Sequence, residues 1–114
     1  MTISEAIQKA IEGGWQQLPK NCSLLRIEVE MDRWLLHFWD DKAHQSDVFF
    51  IPLHKTFLQP LFWQALGKAM GWKYQIGTVD GLPVYDNKVW LENWHKFIDF
   101  LSEGKTAEDY FNQL

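Results

Sequence analysis

Two polar residues stand at a spacing that permits chemistry. His95 and Asp99 lie four positions apart in a helical segment, which places them one turn apart on one face. A histidine oriented by a carboxylate is the minimal acid–base pair. No Ser or Cys in the local sequence is positioned to act as its nucleophile, and Glu92 and Lys96 flank it. The pattern therefore favours a solvated helix face over a dyad. His37 is the second candidate. It falls inside a strand between bulky neighbours, where a hydrogen-bonded core or edge residue is the simpler reading.

Other constellations are weaker. His37, His44, His54, His95 and Cys22 show none of the short paired spacings of a zinc site. Asp32, Asp40, Asp41 and Asp47 collect near turns, but the Asp-Gly spacing of a calcium loop is missing, and turn chemistry accounts for aspartate there. Gly67-Lys68-Ala69-Met70-Gly71 lies within a helix and lacks the glycine-rich loop and following Ser/Thr that cradle phosphates. Gly67 is expected instead to permit close approach of another element, such as the helix at 89–103. No catalytic residue, metal site or cofactor is expected.

The chain of 114 residues carries seven tryptophans, and 16% of it is aromatic. Each indole can bury about 150–250 Å², roughly 4–6 kcal/mol of gross transfer energy. Tryptophan also dominates interaction hot spots. Trp90 and Trp94 fall within a broad apolar helix face and are expected in the core. Trp63 falls at the margin of its helix beside Met70, and Trp34 and Trp39 point to opposite faces of one strand. Trp34, Trp39, Trp63 and Met70 are thus the candidate interaction surface, with self-covered core as the competing reading for the tryptophans.

The elements that would position these residues are legible in the periodicity. Thr2-Ile3-Ser4-Glu5 reads as a capping box, followed by a helix with Ile3, Ala6, Ile7, Ala10 and Ile11 on one stripe. Gly13-Gly14 stops it, and Trp15 is expected to fold back as an apolar plug. Leu25, Ile27, Val29 and Met31 then alternate with charged residues, a strand with one wet face. A turn at Asp32-Arg33 leads to a strand over Trp34–Trp39, apolar on both faces and so central. Val48–Leu53 forms a third strand, placed at an edge by Pro52.

The second half is helical. Pro60 opens a mostly buried helix over Leu61–Met70, closed by Gly71. Asp80-Gly81 marks a short hairpin within residues 73–86. Val89–Glu103 is a helix with Glu92 and Lys96 paired across one turn, and Thr106 caps a short final helix that turns Tyr110, Phe111 and Leu114 inward. The expected fold is α+β: N-terminal helix, three-stranded antiparallel meander, then two Trp-rich helices separated by a short hairpin, and a short C-terminal helix. Helices are expected on one sheet face. No linker or repeat divides the chain, so one domain over 1–114 is expected.

Charge and composition exclude several classes. The net charge is −4, and the eleven Lys/Arg form no run, which argues against a nucleic-acid binder. A single cysteine provides no disulfide, consistent with a reducing compartment. No signal segment or bilayer-length apolar run is seen, so a soluble, cytoplasmic protein without membrane contact is expected.

Four segments also carry a resemblance. Leu58 to Trp72 (LQPLFWQALGKAMGW) resembles a stretch of small uncharacterised proteins encoded in bacteriophages and related bacterial mobile elements. The endings Trp94 to Asp99 and Glu103 to Phe111, and the opening Glu5 to Trp15, are similar to the same family. Together they cover a little over a third of the chain. Some relatives carry Cys and His between the two helices. Lys73 to Lys88 has neither here, so no metal role carries over. The resemblance implies a phage or mobile-element setting and no chemistry. The expected function is a non-enzymatic protein-interaction module, with a protein partner or self-association and an inhibitor or modulator of a host protein as one version. The alternatives are a small enzyme or ligand-binding domain using His95 and Asp99 or His37, and, third, a nucleic-acid-associated protein.

Overall fold

A computed structural model describes residues 1–16, 18–86 and 88–114. Its elements are α1 (Ile3–Glu12), β1 (Cys22–Glu30), β2 (Arg33–Asp40), β3 (Gln45–Pro52), α2 (Leu53–Phe57), α3 (Pro60–Met70), β4 (Tyr74–Val79), β5 (Leu82–Asp86), α4 (Val89–Ser102) and α5 (Ala107–Asn112). The fold is α+β, with an antiparallel meander β1-β2-β3 and a separate hairpin β4-β5. The chain, expected as one domain, groups into two compact units, 1–15 with 60–114, and 16–59.

The first unit is built on aromatic packing among helices. The Thr2 hydroxyl accepts from the Glu5 amide at 3.1 Å, so α1 starts at the capping box. Gly13 serves as more than a stop: a Cβ there would lie 2.0 Å from the Ala65 carbonyl oxygen, so α1 meets α3 backbone to side-chainless backbone. Trp15 does fold back, its amide bonded to the Ala10 carbonyl and its ring edge-on to Phe62 at 5.3 Å. Gly67 works as expected, a Cβ meeting that of Trp90 at 2.9 Å. Thr106 caps α5 by accepting from the Asp109 amide.

Trp63 is fully buried at the centre of this unit. Phe111 stacks on it at 5.7 Å, and Phe62, Phe97 and Tyr110 surround it at 5.1–6.2 Å. Its wheel position is marginal only while α3 is considered alone. Tyr110 and Phe111 of α5 and Phe97 of α4 supply the cover. Trp90 and Trp94 go the other way. They stack on each other at 6.4 Å and stay half-buried, and Phe97 is the sole fully buried residue of α4.

The second unit is the meander with α2. β2 is central, as its two apolar faces require, and β3 lies at an edge with Pro52 as its last residue. The first turn falls one residue earlier than its composition suggests. Glu30 pairs with Arg33, so the loop is Met31-Asp32, with exposed Met31 at φ 55°. A bulge at Leu25 shifts the alternation of β1 and leaves Leu25 and Val29 partly in solvent. Trp34, Leu36 and Phe38 form the buried face of β2. Helix α2, continuous with a segment that reads as strand end, folds back on β2 and β3. Trp34 is fully buried, its Nε1–H donating to Thr56 Oγ1 at 2.9 Å, while the Thr56 hydroxyl donates to the Pro52 carbonyl at 3.0 Å.

Candidate interaction surface

Of the four residues singled out as a surface, two belong to the core. Trp34 is covered in the meander unit and Trp63 in the helical unit. Trp39 remains half-exposed on the sheet face opposite Trp34, and Met70 half-exposed at the end of α3. Trp39 belongs to the meander unit and Met70 to the helical unit.

The polar candidates do not assemble either. His95 and Asp99 are both exposed, and no hydrogen bond or ion pair joins them among the described residues. His95 lies against Trp94, and Glu92 pairs instead with Lys96 at 3.1 Å. His37 is on the Trp39 face of the sheet. Its Nε2 is buried and lies 3.3 Å from Glu28 Oε1 without forming a hydrogen bond. That oxygen already accepts from Arg26 Nε at 2.7 Å, and this bond, more than the nearby charges, holds the Glu28 carboxyl below the usual range. The trio is an ion pair with a histidine beside it. Partial desolvation and the Asp40 carboxylate push the Cys22 thiol up, away from thiolate chemistry. Among the described residues no three His, Cys, Asp or Glu are grouped to hold a metal ion, and no helix is long and apolar enough to cross a membrane.

The surface that does stand out is the hairpin. Asp80 and Gly81 both adopt positive φ, 52° and 77°, the geometry that a two-residue primed turn demands. Val79 pairs with Leu82 across it, and they are 60% and 70% exposed. Ile76, displaced by a bulge between Gln75 and Gly77, is 63% exposed. Tyr74 and Tyr85 are exposed on opposite faces near the base, and only Val84 and Asp86 are half-buried. Two antiparallel strands alone are marginal in water and bury little.

The hairpin base is fastened by polar contacts. Asp86 Oδ1 accepts the Lys88 amide at 2.8 Å. The same carboxylate accepts the Tyr74 hydroxyl and, with its charge, raises that phenol above its usual range. Lys73 lies over the Tyr85 ring at 4.4 Å. The ribbon is thus pinned at its root while its tip presents apolar side chains to solvent. The sequence signal for this was available: residues 74–85 carry apolar side chains at both parities, more than a two-stranded ribbon can cover.

No family model, curated protein or solved structure matched the chain in comparisons with known proteins.

Proposed function

We propose that the chain is a non-enzymatic protein-interaction module and that the β4–β5 hairpin is its contact element. The observation that carries this is the exposure of Ile76, Val79 and Leu82 on a ribbon fixed at its base. Soluble proteins seldom leave such side chains together in water unless a partner covers them. A ribbon with two free edges also offers backbone donors and acceptors for strand addition. The resemblance of 5–15, 58–72 and the C-terminal segments to phage and mobile-element proteins supports a setting in which the partner is a host or phage protein.

The test is site-specific photo-crosslinking from position 76, exposed on the same ribbon, in bacterial cells. A discrete crosslinked species, lost in a V79E/L82E variant of unchanged melting temperature, is the expected result. Those two side chains are mostly in solvent, so the variant keeps its fold. Crosslinking that is absent, or that persists unchanged in the variant, would overturn the proposal. The mass of the crosslinked species separates a foreign partner from a second copy.

A further inference from the structure

Within the helical unit, α3 and α4 leave a groove of about 410 Å³ between them, lined by Gln64, Gly67, Lys68, Trp72, Lys73 and Trp90, with Gly71 at its end. The size falls in the range of sites for small ligands, about 300–1,000 Å³. Its chemistry is unlike that of the chain as a whole. Acidic residues outnumber basic ones by fifteen to eleven, yet the lining has two lysines and no acid.

Two features give the groove its form. Gly67 has no side chain, and a Cβ there would meet the Trp90 Cβ at 2.9 Å and the Trp72 ring at 3.2 Å, so both tryptophans close directly on the α3 backbone. Gly71 takes φ 70° and ends the helix, and the Trp72 amide returns to the Gly67 carbonyl at 2.9 Å. This return holds Trp72 against the groove. Both indoles remain half-exposed, so each still offers apolar surface.

The cations are available. Lys68 is exposed and forms no ion pair with a described residue, and among the described residues Lys73 is engaged with the Tyr85 ring. An ammonium is a strong donor for a carboxylate or phosphate, and a flat ring packs well on an indole. We propose that the groove between α3 and α4 binds a small planar aromatic anion, its ring against Trp72 and Trp90 and its anionic group at Lys68 and Lys73. This site stands independently of the hairpin reading, because neither Val79 nor Leu82 lines it.

Nucleotides and aromatic carboxylates share this chemistry, and the experiment distinguishes them. The full chain is titrated with AMP, indole-3-acetate, adenosine and inorganic phosphate while the indole N–H resonances of Trp72 and Trp90 are followed by NMR. Saturable shifts at both indoles with at least one of the two aromatic anions are expected. Adenosine and phosphate should each bind about tenfold or more weakly than the better anion, since each offers half of the contact. Whichever of AMP and indole-3-acetate binds more tightly identifies the source. Lys68→Glu should weaken binding about tenfold with an unchanged melting temperature, and Lys68→Arg should largely retain it. Three results would each overturn the proposal. These are no saturable shift with either anion at millimolar concentration, adenosine binding as tightly as the better anion, or wild-type affinity in Lys68→Glu.

Discussion

Thr56 is the buried polar residue of the described core, and its hydroxyl does two jobs. It accepts from the Trp34 indole and donates to the Pro52 carbonyl, tying α2 to the last residue of β3 and to the central strand. Valine has nearly the same shape but neither hydrogen-bonding function. Thr56→Val should therefore destabilise by about 1–3 kcal/mol, the cost of taking away partners inside a core rather than of making a cavity. A urea titration followed by Trp fluorescence measures it, and a loss near zero would mean that both groups find other partners. Trp34 also shows what single-residue reading can deliver. Strand parity places Trp34 and Trp39 on opposite faces, which is how they stand. Parity does not say which face is covered, because the cover comes from a helix 22 residues away whose five residues show no period. Trp63 is the same lesson in a helix: its wheel position is local, while its burial is decided by Phe97, Tyr110 and Phe111.

At the scale of elements the sequence is more informative, because periodicity and capping are local. The capping box, the central strand, the Asp80-Gly81 turn and the Thr106 cap all lie where their residues require. The misplacements have local causes of a kind composition does not show. The Leu25 bulge breaks the period of β1, and Met31 takes a positive φ that its side chain does not favour. Gly13 shows how a residue can be read rightly and incompletely. It ends α1 at φ −77°, a conformation any residue adopts, so its lack of a side chain matters for the contact with Ala65. Gly13→Ala must separate α1 from α3, since the obstruction is backbone. A loss of about 2–4 kcal/mol is expected, at or above the usual cost of overpacking, and thermal melting reads it directly. The hairpin gives a prediction in pH. Tyr74 has its pKa raised in the folded chain by Asp86, so its contribution is fully present below the unfolded value near 10 and is lost as pH rises through the higher folded one. Fraying of the β4–β5 base should accordingly appear as the pH rises through that range, seen as loss of amide protection at Lys88. Tyr74→Phe should abolish that alkaline step.

Across the whole molecule, modest charge meets concentrated exposed apolar surface. The chain carries −4 at neutral pH and reaches zero near pH 5.5, where mutual repulsion no longer keeps copies apart. Exposed Phe50 on the β3 edge and the Ile76, Val79 and Leu82 set on the hairpin are then free to associate. Light scattering should rise as the pH falls from 7.5 towards about 5.5 and should do so more steeply in salt, which screens the remaining charge. The V79E/L82E variant separates the two surfaces. It removes the hairpin's apolar pair and makes the chain more negative, so its scattering should stay low over the same interval and its turning point should move to lower pH. A Phe50→Lys variant acts in the opposite electrostatic sense. It blunts the β3 edge but brings the net charge closer to zero, so at neutral pH it protects only if edge pairing outweighs charge. If V79E/L82E scatters like the wild type while Phe50→Lys does not, the exposed edge of the meander, and not the hairpin, is the surface through which this chain meets others.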